Sequence, residues 1–363
     1  GDHVVAARDP IGIKPLYVGK RGDDWCFASE QKAMVGLATD VEEFPPGTLF
    51  HSAHGYREFY QLPETNDCRM IEDPSEAARH VRETLEAAIC KRLMSDVPLG
   101  AFLSGGLDSS IICAIARRHM DHLHTFSVGF PGSRDLAAAR LVSQHLGTIH
   151  HEYHLSESEV VRLLPEILYH LESYDQDLVR SAIPTYFTAR LASQHVKVVL
   201  TGEGADELFA GYRYHQQFRT QTDLSRELRR SIAALHNMNL QRVDRLTMAH
   251  SIEARVPFLD VTMIALAQQI PVRWKLRYEN EKRIEKWILR KACEDLLPAD
   301  LAWRKKAQFD EGSGTVEALD VALSKISRRP APIGRETEGA LYEDILRQQY
   351  QDVDLVLKCA GAW

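Results

Sequence analysis

Residues Pro98–Ile112 read PLGAFLSGGLDSSII, a short apolar run that breaks at Ser-Gly-Gly and then resumes. Leu99–Leu103 is brief, apolar and bounded by turn residues, the pattern of a strand covered on both faces. From Ser109 the sequence SSIICAIARRHM spaces its apolar residues by three and four, the helical period. Ser104–Ser109 is therefore a strand-to-helix turn in an α/β unit. Two glycines let the backbone approach a ligand, and the helix start offers unpaired N–H groups to an anion. The same residues also suit a plain turn in which Asp108 or Ser109 caps the helix. The rest of the chain must decide between these readings.

Downstream, the chain alternates. HTFSVGF (His124–Phe130) predicts a strand, and a helix opens near Asp135 and closes at Gly147. A strand TIHHEYHL follows, then helical stretches over Ser156–Glu172 and PTYFTARLA. The strand Val196–Gly202 then runs into a second glycine-rich turn, GEGADE. This alternation predicts a parallel, doubly wound sheet, whose ligands sit beyond the carboxyl ends of its strands. Both glycine-rich turns fall there. From Leu224 onward the pattern is mainly helical, with no internal repeat. Upstream, residues 1–62 read as the short strands VVAAR, PLYVG, WCFAS and GTLFHS, and Leu62–Pro74 as a polar linker. An amphipathic helix is predicted from about Glu76 to Met94, with Ser75 as its N-cap.

Composition narrows the partners. A length of 363 residues suits two domains or one large one, and 44% hydrophobic with 26% charged residues is ordinary for a soluble protein. A net charge of −7 argues against nucleic acid as a partner and leaves a small molecule as the default. The six cysteines are scattered without a C-x-x-C pair, as reduced thiols of a cytoplasmic protein would be. No apolar run reaches membrane-spanning length and no signal peptide is visible. The chain opens directly on strand-like sequence at Gly1-Asp2-His3-Val4-Val5, as a chain cut inside a domain would.

Familiar motifs fail. G-x-x-x-x-G-K-[ST] is absent, and Gly202-Glu203-Gly204 is followed by Glu207 where the dinucleotide fingerprint needs glycine. No G-x-S-x-G surrounds Ser104 or Ser109. His150-His151-Glu152-Tyr153-His154 looks metal-binding, but strand neighbours face opposite sides and H-E-x-x-H is missing. A polar strand end is the preferred reading there.

Ser104–Ser109 does match S-G-G-x-D-S, the pyrophosphate-binding loop of enzymes that split ATP into AMP and pyrophosphate. RDPIGIKPLY (Arg8–Tyr17), FASEQKAM (Phe27–Met34) and FPPGT (Phe44–Thr48) resemble the latter half of a class II glutamine amidotransferase domain. SDVPLGAFLSGGLDSS, FSVGFPGSRDLAAA, LGTIHHE, LTGEGADELFAGY, DRLTMAHSIEARVPFLD and LAWRKKAQFDEGSG resemble, in order, the synthetase domain of glutamine-hydrolysing asparagine synthetases. The resemblance implies an α/β doubly wound parallel sheet of the PP-loop ATP pyrophosphatase kind, with a helical C-terminal part, over residues 75–363. Part of an Ntn-type αββα glutaminase domain would precede it at residues 1–62.

The resemblance also implies a chemistry. Aspartate's β-carboxylate would attack the α-phosphorus of ATP, and ammonia would then displace AMP to give asparagine. ATP would lie on Leu103, Ser104, Gly105, Gly106, Asp108 and Ser109, with Val128 and Thr201-Gly202 flanking the adenosine. Mg²⁺ would sit at Asp108 and Asp206, and Lys286 and Lys306 would supply further positive charge. Each lysine also reads as a solvated residue, although the EGSG loop after Lys306 suits a closing lid. Glu203 would be the pivot for intermediate formation and ammonia attack, against the plainer reading of a carboxylate at a helix start. Arg255 reads equally as a substrate-carboxylate clamp or a structural ion-pair partner.

The family's glutaminase uses an amino-terminal cysteine, whereas here the first residue is Gly1 and the first cysteine is Cys26 in a predicted strand. Ammonia rather than glutamine is the expected nitrogen source for the chain as written. A β-lactam-forming or other amide-forming synthetase shares these motifs and is the rival reading. The acidic balance disfavours a tRNA-modifying relative. No membrane partner is expected, and a homodimer is left open.

Overall fold

The computed structural model describes residues 3–64, 69–279, 281–304, 313–314, 319–321, 323–324 and 334–358. Six short strands come first: β1 (Val5–Ala7), β2 (Tyr17–Arg21), β3 (Asp24–Ala28), β4 (Thr39–Glu43), β5 (Thr48–His51) and β6 (Gly55–Glu58). They form two antiparallel sheets, ordered β1-β5-β6 and β3-β2-β4. Aromatic side chains fill the space between the sheets. Phe44 and Phe50 are buried there, and Trp25 meets Phe50 edge-on with centroids 4.6 Å apart.

Helix α1 (Pro74–Leu93) leads into the main sheet. Its N-cap is Asp73, whose carboxylate accepts from the amides of Ser75 and Glu76, so the predicted cap Ser75 lies inside the helix. A proline in the first helical turn needs no amide partner, which moves the start forward.

The alternating region then follows as β7 (Leu99–Phe102), α2 (Leu107–His119), β8 (His124–Gly129), α3 (Arg134–Leu146), β9 (Ile149–His154), α4 (Glu157–Leu171), α5 (Gln176–Ala192) and β10 (Val198–Leu200). Beyond it come α6 (Ala205–Phe209), α7 (Gln221–Ala234), α8 (Asn239–Met248), β11 (Glu253–Arg255) and α9 (Val261–Gln269). The sheet order is β11-β10-β7-β8-β9, with every neighbouring pair parallel. The chain moves outward from β7 to β9 and returns to the other side of β7 at β10. The switch point therefore lies between β7 and β10.

Helices cover both faces, as the β-α alternation requires. Leu99, Ala101, Val198 and Leu200 face a core shared with α1, α2 and α9. Phe126, Val199 and Ala254 face the opposite core with Ala192 of α5 and Val243 of α8.

Two elements depart from the sequence reading. β11 lies inside the tract read as mainly helical, because EAR is too short and polar to show strand periodicity. A hairpin, β12 (Leu276–Glu279) and β13 (Lys282–Glu285), interrupts that tract again. Among the described residues, no helix is long and apolar enough to cross a membrane.

The first two sheets are anchored by buried charge. Glu172 is fully buried and accepts from the amides of Gln31 and Lys32 at 3.1 and 2.7 Å. It also pairs with Arg245 at 2.6 Å, both side chains being inaccessible. Lys14 pairs with Asp244, and Glu43 bridges Arg8 and His236.

Candidate functional site

Helix α2 begins at Leu107 with Gly106 as its N-cap, and no side chain caps it. Neither Asp108 nor Ser109 takes that role. Ser109 Oγ instead turns back to accept from the Ser104 amide at 3.2 Å, and lies 3.0 Å from Ser104 Oγ. The turn is thus knotted by its own hydroxyls. Gly105, at φ +72°, packs so tightly that a Cβ would stand 2.6 Å from Ala139 N.

The second turn abuts the first, since a Cβ on Gly202 would lie 2.9 Å from that of Asp108. Between them sits Lys286, which follows β13 and is only 1% exposed. Its Nζ donates to Asp108 Oδ2 at 2.5 Å and pairs with Asp206 Oδ1 at 2.7 Å. Burial opposes its charge, but the two carboxylates outweigh burial and hold its pKa above the ordinary lysine value. The solvated reading of Lys286 is overturned.

Above these turns opens a cavity of about 610 Å³. Leu103, Ser104, Gly106, Asp108, Ser109 and Val128 line it, as do Thr201, Gly202, Glu203, Asp206 and Lys286. Two buried oxygens at this wall, Asp108 Oδ1 and Thr201 Oγ1, have no hydrogen-bond partner. A buried acceptor without a partner is costly, so these atoms are suited to a ligand. Asp108 and Asp206 offer hard oxygen donors side by side, which fits Mg²⁺.

Residues 80–222 and 216–355 match the asparagine synthase family, and residues 1–36 match a glutamine amidotransferase domain. The chain belongs to the asparagine synthase family. An asparagine synthetase (glutamine-hydrolysing) of Zea mays is 40% identical over 328 residues, covering 85% of this chain and 56% of that protein. An asparagine synthetase (glutamine-hydrolysing) 3 of Arabidopsis thaliana is 41% identical over 331 residues, with the same two coverages. The chain thus spans about half the length of the curated relatives it matches. The structure of an NMN synthetase from Francisella tularensis aligns with a TM-score of 0.33 and 12% identity, over 77% of this chain and 96% of that one. That likeness is too slight to decide anything.

Among the family motifs, two predicted residues stand apart from the cavity wall. Gly105 serves the packing just described. Arg255 is turned away, donating to Glu253 Oε1 at 2.9 Å and to the carbonyls of Arg92 and Met94 at 2.7 Å each. It closes the carboxyl end of α1, so the clamp reading gives way to the structural one. Lys306, together with Glu311 and Gly312 of the EGSG loop, lies outside the described residues.

Glu203 is paired with Arg242 of α8, Nη2 to Oε1 at 2.6 Å. This ion pair replaces the plain helix-start reading. Sequence reasoning missed Arg242, and also the buried group beneath it. Tyr212 Oη donates to Glu207 Oε1 at 2.5 Å, and Asn239 Nδ2 donates to Tyr212 Oη at 2.9 Å. Burial first, and then Asp206, raise the Glu207 pKa well above the carboxylate range. Glu207 had looked only like the residue that spoils a nucleotide fingerprint. Its place in GEGADE, four residues after Glu203, was the available signal.

Proposed function

We propose that this cavity activates a carboxylate with ATP and converts it to an amide. The observation carrying the reading is the meeting of two glycine-rich turns at the sheet's switch point, joined by the Asp108–Lys286–Asp206 contact. Aspartate's β-carboxylate oxygen attacks the α-phosphorus, the bond to the bridging oxygen breaks, and pyrophosphate leaves. Ammonia then attacks the acyl carbon, AMP leaves, and the nitrogen loses a proton to yield asparagine.

Lys286 remains charged beside the phosphates, and the amides and hydroxyls of Ser104–Ser109 receive the departing pyrophosphate. Mg²⁺ held by Asp108 and Asp206 would neutralise phosphate charge. Glu203, held by Arg242, takes the proton from the attacking nitrogen. Free ammonia serves as the nitrogen source for the 363-residue chain. The four described cysteines, Cys26, Cys90, Cys113 and Cys293, are unpaired, which fits a reducing cytoplasmic setting.

The test is pyrophosphate release with ammonium salts against a panel of carboxylic acids. Aspartate should be strongly preferred, with AMP and asparagine as products. ADP as the main nucleotide product, or a preference for another acid, would overturn the reading.

A further inference from the structure

His150 and His151 adjoin on β9 and part company there. His150 faces Thr125 and Ser127, with ring nitrogens 2.9 Å and 3.2 Å from their hydroxyls. His151 faces the other side of the sheet, as alternation requires. Strand pairing sets Phe126 opposite His151, which puts His124, two residues earlier on β8, on that same face. His124 Nδ1 lies 2.9 Å from His151 Nε2. His195, exposed in the turn between α5 and β10, stacks on His151 with centroids 3.8 Å apart. One nitrogen from each ring lies within 4.8 Å of the other two. The preference for a polar strand end considered only neighbours along one strand, whereas this cluster forms across strands.

We propose that His124, His151 and His195 form a binding site for a divalent transition-metal ion of the Zn²⁺ class. The three rings come from separate parts of the chain and meet near the amino-terminal ends of β8 and β10, away from the two glycine-rich turns. Imidazole nitrogen suits Zn²⁺, Ni²⁺ or Cu²⁺, whereas Mg²⁺ and Ca²⁺ favour oxygen ligands. The site is therefore chemically distinct from Asp108 and Asp206. Zinc–nitrogen bonds of about 2.0–2.1 Å require the nitrogens to draw together around the ion. The His124–His151 hydrogen bond gives way to two metal bonds, and His195 closes from the solvent side. A water completes the fourth position. The ion would tie β8, β9 and the turn before β10 together, stabilising the folded chain by linkage.

The experiment uses the whole chain, stripped with chelator and titrated with zinc sulfate against a chromophoric competitor. One equivalent should bind, and His195→Asn should weaken binding at least about tenfold. His151→Gln should do the same, and Zn²⁺ should raise the melting temperature of the wild type alone. His195 is exposed, so its variant tests the site even if His151→Gln folds poorly. X-ray absorption at the zinc edge should show imidazole scattering and no sulfur. No binding, equal binding by wild type and His195→Asn, or thiolate ligation would each overturn the site in favour of a metal-free histidine stack. Aspartate-dependent pyrophosphate release should survive His195→Asn, so the outcome stands apart from that of the proposed amide synthesis.

Discussion

Arg242 and Glu203 face each other across 2.6 Å, and that ion pair fixes the carboxylate of one glycine-rich turn to helix α8. The same helix pairs Asp244 with Lys14, in the loop between β1 and β2, and its Arg245 donates to Tyr17 Oη on β2. A single helix thus touches the cavity carboxylate and the neighbouring layer of the molecule. Lysine at position 242 would keep the charge but lose the planar fork. Arg242→Lys should slow asparagine formation by roughly 10- to 100-fold, with a smaller effect on ATP affinity, since a misplaced base costs rate. Product assays with nucleotide titration would check this. Unchanged asparagine formation would show that Arg242 does not position Glu203.

Glu203→Gln keeps the size and removes the basicity. Losing a general base costs roughly 100- to 10,000-fold in rate. The variant should melt normally, bind ATP normally and fail mainly at the amide step. Comparing pyrophosphate release with asparagine formation separates the half-reactions. A variant retaining most of its asparagine-forming rate would leave Glu203 a structural role only.

Asp108 and Asp206 flank one buried lysine, so removing either charge changes both the cation site and the pairing of Lys286. Asp108→Asn should abolish aspartate-dependent pyrophosphate release while circular dichroism stays native. Lys286 keeps Asp206 as a partner in that variant, which is why the fold survives. Excess Mg²⁺ should not rescue it. Full activity in Asp108→Asn would remove this residue from the proposed chemistry.

Asp260, the last residue of EARVPFLD, shows how a motif residue can be structural. It caps α9 through the Thr262 amide and pairs with Arg92 and Lys91 of α1 at 2.8 and 3.1 Å. Burial pushes its pKa up, but the hydrogen bonds from Arg92 and Thr262 outweigh burial and leave it below the usual value. Because the folded value is depressed, the stabilisation is present above the unfolded pKa of about 3.9 and lost as pH falls through the folded value. Asparagine caps helices as well as aspartate does, so Asp260→Asn isolates the charge. At neutral pH it should cost about 1.5–3 kcal/mol, and the gap to wild type should begin to narrow only as pH falls below about 4. Urea titrations across that range would measure it, and a gap independent of pH would refute the assignment.

The parallel sheet, its two glycine-rich turns and the polar residues those turns bring to the cavity were legible, because glycine spacing and buried apolar runs are local signals, whereas the polar residues that α5 and α8 add to the wall were not. What escaped depends on long-range contact. Arg242 lies in a helix whose charges look solvated until the fold turns them inward, and Arg255 reads equally as clamp or ion-pair partner until the end of α1 appears beside it. His124, His151 and His195 carry no common spacing; strand pairing alone assembles them. Glu207 was visible, but only burial reveals its changed chemistry.

The pair Glu172–Arg245 offers a test of how the two parts of the molecule hold together. Glu172 caps the end of α4 and receives two backbone amides from residues 31 and 32 as well as the guanidinium of Arg245. Neither side chain of the ion pair reaches solvent. Glu172→Gln leaves Arg245 buried beside a neutral amide, and breaking such a pair costs about 3–5 kcal/mol. Arg245 retains the Leu171 carbonyl and Tyr17 Oη, which cannot neutralise it. The double variant Glu172→Gln with Arg245→Met removes both charges and should recover part of that loss. Limited proteolysis should cleave first within residues 1–62 in the single variant, because glutamine keeps only one of the two oxygens that accept from the amides of Gln31 and Lys32. If the double variant is as unstable as the sum of the single ones, the two side chains are not coupled and the anchoring of the amino-terminal sheets lies elsewhere.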